Sequence, residues 1–209
     1  MEATYSVKLY KADGEALVST NDNKYRITMA DYLCSGVEDG AFVDETSLAF
    51  LEAAAEKLAC IKKAFVYLSY RALPIRKLKT KLKTAGFGED AIEKCIQLLL
   101  KKGYLDDYAL CNDVALSLQR SKLYGFSRLK KELYAKGFDT ECIDSVLDSL
   151  EDCTEEDTTQ SVINALLAKK FPSLSPDDRE GRAKAVSYLY RMGYSYDDIN
   201  NAISALGRD

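Results

Sequence analysis

The chain has 209 residues, with 33 acidic against 29 basic for a net charge of −4, and 47% of it is hydrophobic. That supplies enough apolar side chain for a packed core in one or two domains and excludes a globally disordered chain. No apolar run approaches the ~18–20 residues that span a bilayer. The start, MEATYSVKLYKADGE, does not resemble a signal peptide, so the expectation is a soluble, cytoplasmic protein with no membrane partner. Histidine is absent, which removes Ser-His and Cys-His nucleophile pairs and every His-containing metal site. Cysteines stand at 34, 60, 95, 111, 142 and 153 with no C-x-x-C clip among them. They read as buried, reduced core residues, Cys60, Cys95 and Cys142 most plainly.

Residues 1–45 read as a small β-containing segment. TYSVKLY (4–10) and KYRITM (24–29) alternate at period two, with Ala12-Asp13-Gly14 as turn chemistry. This predicts a hairpin or three-stranded piece, then a short helix from about Thr28 to Cys34 and a turn at Gly36. A sheet so small needs something to pack on, and the following helices are expected to supply it.

From Thr46 onward helical periodicity dominates. Glu45-Thr46 is placed to cap a long helix carrying Leu48, Leu51, Ala55, Leu58, Cys60, Phe65 and Leu68 on its apolar stripe. Pro74 breaks it or opens the next helix, where Ile75, Leu78, Leu82 and Ala85 follow at three- and four-residue intervals. Gly86, Gly103, Gly137 and Gly193 stand where helices end, and Asp106 and Asp139 where the next ones are capped.

These helices repeat. LKTKLKTAGFGEDAIEKCIQLL (78–99) overlays LKKELYAKGFDTECIDSVLDSL (129–150) without a gap at an offset of 51, and AVSYLYRMGYSYDDINNAISAL (185–206) is a looser third copy. Each copy is a helix, a Gly-aromatic turn, an acidic cap and a second helix, preceded by a further helix near 47–72, 107–121 and 156–171. The prediction is a mainly α chain of tandem three-helix repeats, 46–106, 107–155 and 156–209, behind the 1–45 segment.

Charge is segregated along this array. Residues 1–56 hold eleven acids and four bases, whereas Lys57 to Gly88 holds nine bases and no acid. Residues 137–168 invert the sign, with nine acids and no base; the block at 139–157 reads as capped, solvated helix starts, with a repulsive element that orients docking as the alternative. Lys77/Lys81 and Lys79/Lys83 are like-charge i,i+4 pairs, each costing a few tenths of a kcal/mol, which an anionic partner would relieve. Tyr67, Tyr70, Tyr104, Tyr108, Tyr124 and Tyr134 lie among the basic elements and could stack on bases, although Tyr104 reads as a core residue. Catalysis finds no support. Asp106-Asp107, Asp177-Asp178 and Asp197-Asp198 are helix caps, and neither G-x-x-x-x-G-K-[ST] nor G-x-S-x-G occurs. No enzyme activity, catalytic residue, metal or cofactor is expected.

The stretch GYLDDYALCNDVALSLQRSKLYGFSRLKKELYAKGF (103–138) closely resembles the central motif of the RecX family, bacterial regulators of the RecA recombinase. The motif residues are Gly103, Leu105, Asp106, Asp107, Arg120, Gly125, Arg128, Leu129, Glu132, Leu133, Lys136 and Gly137. YLSYRALPIRKLKTKLKTAGF (67–87) resembles the family's first repeat, with Pro74 and Lys77 departing from its usual pattern, and YLYRMGYSYDDI (188–199) resembles part of the last. The resemblance implies an elongated, curved array that binds RecA or its filament on single-stranded DNA and limits filament growth, ATP hydrolysis and strand exchange, in recombination, DNA repair and the SOS response. The residues expected to carry that contact are Arg71, Arg76, Lys77, Lys79, Lys81 and Lys83, with Arg120, Lys122, Arg128, Lys130 and Lys131 in the second repeat. A monomer with weak direct DNA binding is expected. The competing reading is a helical nucleic-acid-binding module with no recombinase partner, marked by steep salt dependence.

Overall fold

The computed structural model describes the backbone of residues 5–6, 8–12, 14–20, 23–152, 156–175 and 178–205, and side chains in the ranges 14–20, 23–152, 158–175 and 178–205. Asp13, Cys153 and Asp177, each named above, lie outside the described residues. The chain divides into two compact units, residues 1–105 and 106–209.

The amino-terminal segment holds five described strands in two sheets, more than the hairpin or three-stranded piece that its alternation suggests. Strands β2 (Lys8–Ala12), β3 (Glu15–Ser19) and β4 (Lys24–Thr28) form an antiparallel meander, and β1 (Tyr5–Ser6) pairs instead with β5 (Phe42–Val43). Alternation buries Ala16 and Val18 opposite Ile27 and Tyr25, so one face is apolar. Helix α1 (Met29–Ser35) starts where Thr28 accepts from the Asp31 N–H and ends at Gly36, φ 63°. Helix α2 (Glu45–Tyr70) has 26 residues, about 39 Å of helix. Its cap is Asp44, one residue earlier than the sequence suggested, because the Asp44 carboxylate accepts from the Ser47 N–H at 2.8 Å. Leu51 and Ala54 on its first half cover the sheet, whereas Cys60, Ile61 and Ala64 on its second half enter the core of the first repeat. Phe65 and Tyr104, read as packed residues, are 39% and 59% exposed and meet edge to face at 4.9 Å. Tyr104 follows a third helix rather than a second one, so it lies off the buried Gly-aromatic position.

Helices α3 (Ile75–Thr84) and α4 (Glu89–Lys101) complete the first repeat. Helices α5 (Asp107–Lys122), α6 (Phe126–Lys136) and α7 (Thr140–Asp152) make the second, and α8 (Glu156–Lys170), α9 (Arg179–Met192) and α10 (Tyr196–Ala205) the third. Equivalent positions fill equivalent holes: Leu78, Leu129 and Ala185; Leu82, Leu133 and Leu189; Ile92, Ile143 and Ile199 are all buried. The offset of 51 also reaches back into the first helices, where Cys60 matches Cys111 and Ala64 matches Ala115, all buried.

Cys60, Cys95 and Cys111 are buried and Cys142 is half-buried, but Cys34 is exposed, against expectation. Seven-residue α1 has no fully buried side chain, and among the described residues its cysteine stays uncovered. Burial pushes the Cys95 and Cys111 thiols up to about 12. Thiolate is the reactive form. A mildly alkaline thiol titration read by peptide mass mapping is therefore expected to label Cys34 in the native chain and Cys95 and Cys111 only after unfolding; prompt native labelling of Cys95 would contradict the packing.

The second and third repeats are joined through their backbones. The Gly125 N–H donates to Met192 O at 2.9 Å and the Ser127 N–H to Gly193 O at 3.3 Å. The unsatisfied donors at the start of α6 thus take the unsatisfied acceptors at the end of α9. A Cβ on Gly125 would stand 2.4 Å from Gly193 O, and one on Gly193 would stand 2.4 Å from the Arg128 nitrogen. Beside this joint the Tyr194 hydroxyl donates to Leu123 O at 2.9 Å, where Leu123 turns the chain in the left-handed conformation at φ 54°. Burial pushes the Tyr194 hydroxyl up to about 12.

Candidate functional site

The basic run from Lys57 to Lys83 folds onto several faces, and much of it meets carboxylates far away in sequence. Lys57 pairs with Asp31 and Lys62 with Glu15, so the acidic amino-terminal segment neutralises the middle of α2. On α3, Leu78 and Leu82 point inward one turn apart and the basic residues fan out around them. Lys79 reaches Glu93 and Lys83 reaches Glu89, both at 2.7 Å, across to α4. The hydrogen bond to Glu89 raises the Lys83 ammonium above its ordinary value, and the bonds from Lys83 and Lys79 hold the Glu89 and Glu93 carboxyls below theirs. With Arg76, Thr80 and Thr84, these residues line an open groove of about 580 Å³.

Away from that groove, Lys81 and Lys63, from α3 and α2, both stand over the Tyr67 ring, at 5.1 and 5.3 Å from its centre. Such contacts hold an ammonium without neutralising it. Lys77 is half-buried, and Arg71 is exposed where the chain leaves α2 in extended conformation. Among the described residues no carboxylate stands within ion-pairing distance of Lys63, Arg71, Lys77 or Lys81.

The second-repeat set divides in the same way. Arg120, Lys122 and Lys131 are exposed, the first two in the last turn of α5, where cations oppose the helix dipole favourably. Lys130 pairs with Asp144 on α7, and these two stand 51 residues after Lys79 and Glu93. Arg128 bonds Glu132 one turn on at 2.7 Å and lies over the Tyr124 ring at 5.4 Å, its Nε buried. It therefore packs the α6 end of the joint while keeping part of its guanidinium exposed. The sequence reading, which followed runs of like charge along the chain, missed the carboxylates of α4 and α7 and the ammonium of Lys63 beside Tyr67. The i,i+14 spacing of Lys79 to Glu93 and Lys130 to Asp144, repeated at offset 51, was the available signal.

Among the described residues there is no group of three or more His, Cys, Asp or Glu placed to hold a metal ion, and no helix is long and apolar enough to cross a membrane.

Comparison with known proteins gives one consistent picture. The family model described as "RecX, third three-helix domain" matches residues 156–203. The "Regulatory protein RecX" of Vibrio parahaemolyticus serotype O3:K6 is 31% identical over 154 residues, covering 72% of this chain and 93% of its own. That of Chlorobium phaeobacteroides is 29% identical over 133 residues, 64% of this chain and 83% of its own. A crystal structure of regulatory protein RecX superposes with a TM-score of 0.74 at 17% identity, over 98% of this chain and all of the other. These relatives bear the name of regulators, and the helical-repeat fold is theirs as well.

Proposed function

Since the chain belongs to the RecX family, we propose that it regulates the RecA recombinase as a non-enzymatic protein, binding RecA or its filament on single-stranded DNA and limiting filament growth, ATP hydrolysis and strand exchange. The observation that carries this reading is the set of cations on the first repeat that meet no carboxylate among the described residues: Lys77, Lys81 and Arg71, with Lys63 on the facing helix. Arg120, Lys122 and Lys131 are the exposed cations of the second repeat, Lys122 at the position that matches Arg71. A recombinase filament presents phosphates and carboxylates together, and exposed ammonium and guanidinium groups suit both.

The test is DNA-dependent ATP hydrolysis by the cognate recombinase at fixed single-stranded DNA, titrated with this protein. Loss of hydrolysis at well below one protein per recombinase is the expected result. The triple variant Lys63→Glu, Lys77→Glu, Lys81→Glu is expected to lose that effect while keeping its helical content and its cooperative melt. Lys79 and Lys83 are left intact in it, because reversing them would set like charges against Glu93 and Glu89. No effect of the native chain at several-fold excess, with DNA binding retained, would replace this reading with that of a plain nucleic-acid-binding module.

A further inference from the structure

The groove between α3 and α4 brings together more cation than its surface charge suggests. Lys79 and Lys83 lie one helical turn apart, each bonded to a carboxylate of the facing helix. All four side chains are well exposed, between 43% and 81%. Pairs that open to water add about 0–1 kcal/mol to a fold, so these bonds are weak ties that another anion can replace. One of the two pairs recurs one repeat later, Lys130 with Asp144 at the positions of Lys79 and Glu93, whereas Tyr134 and Thr140 stand where Lys83 and Glu89 would. What recurs is one ammonium group held by a single exchangeable carboxylate, and the first repeat adds a second beside it.

We propose that Lys79 and Lys83 form a second phosphate-binding row, closed in the unliganded chain by Glu93 and Glu89 and opened when the phosphodiester backbone of a single-stranded nucleic acid displaces those carboxylates. Lys130 with Asp144 is a single member of such a row in the second repeat. The row rests on the reading of α3 as the face that meets a polyanion and adds to it a built-in competitor. Residues four apart on a helix have Cβ atoms about 5–6 Å from one another, which suits consecutive phosphates along a strand; isolated carboxylates on a protein surface have no such period. The groove of about 580 Å³ is open along this row, with Arg76 at its rim. Exchange releases cations from the strand, but Glu93 and Glu89 gather cations once they lose their lysines. The chain therefore binds more weakly, and with a shallower salt dependence, than its basic residues alone would dictate.

The experiment is fluorescence anisotropy of labelled oligodeoxythymidylate with the full-length chain across a salt series. Glu89→Gln with Glu93→Gln is expected to tighten binding several-fold. It should also steepen the slope of log affinity against log salt by up to about 1.4, about 0.7 for each ammonium engaged on a single strand. Asp113→Asn with Glu38→Gln makes the same change in net charge at exposed carboxylates outside the ion pairs and outside the groove. It should leave the slope as in the native chain. Adding Lys79→Gln and Lys83→Gln to the first variant should abolish its gain. A slope no steeper in the Glu89/Glu93 variant than in the Asp113/Glu38 control overturns the row. The recombinase assay separates the two readings: suppressed hydrolysis with an unmoved slope removes the row and keeps the regulator, and a steepened slope without any effect on hydrolysis does the reverse.

Discussion

Gly193→Ala is expected to lower the stability of the unit spanning residues 106–209 by about 3 kcal/mol, through two separate costs. The first is conformational. Gly193 ends α9 at φ 97°, a region that an L-residue enters at a cost of about 1–2 kcal/mol. The second is steric, because the new methyl would stand 2.4 Å from the Arg128 backbone nitrogen and 2.8 Å from Gly125 O, backbone that cannot step aside without pulling α6 off α9. Gly86 isolates the first cost. It has φ 93°, but no atom lies within 4 Å of the place its methyl would take, so Gly86→Ala should cost only about 1–2 kcal/mol. Urea unfolding of the full chain, with amide exchange at Gly125 and Ser127 as local probes, distinguishes them. Equal losses in the two variants would mean that the joint adapts freely to a side chain.

Leu129→Ala is the second large effect, about 2–5 kcal/mol. Leu129 has no exposed surface and packs with Cys111, Ala115, Leu133, Phe138 and Ile143 in the core of the second repeat. Leu78→Ala, at the matching position of the first repeat, should fall in the same range, since Leu78 is equally buried among α2, α3 and α4. Phe65→Ala removes a larger side chain from a site 39% exposed and should cost less than either. Denaturation midpoints order the three. A loss for Leu129→Ala within about 0.5 kcal/mol, the range of a surface substitution, would place that residue outside the core.

The second and third helices of each repeat were legible because their information is local: Leu78 and Leu82, then Gly86, then Ile92 and Ile96 stand at spacings that only one face of a helix satisfies. The amino-terminal meander was legible for the same reason, through alternation at Tyr25 and Ile27. Phe65 falls outside the core because a 26-residue helix that serves two cores drifts in phase along its length, so its apolar stripe is not the continuous one its spacing suggests. The basic face was legible as composition but not as geometry. Whether a lysine on α3 meets solvent or a carboxylate depends on which face α4 turns toward it, and that is settled by Ile92, Ile96 and Leu99 entering the core. The joint was invisible. Gly125 and Gly193 lie 68 positions apart, and each alone reads as an ordinary helix-flanking glycine. The joint changes what the Gly-x-x-Arg segment does locally: Gly125 admits a neighbouring backbone, and Arg128 begins as packing before its charge reaches solvent.

The continuity of α2 carries a consequence for solubility. If the chain began at Glu45, the helix would remain, but Leu51 and Ala54 would lose the sheet that covers them and present an adhesive apolar strip to water. The same cut would strip Lys57 and Lys62 of Asp31 and Glu15, lengthening the uncompensated positive stretch. The strands at the amino terminus are thus a counterweight as well as a cover: they keep the helix from sticking to its own kind and keep its charge from attracting every passing anion.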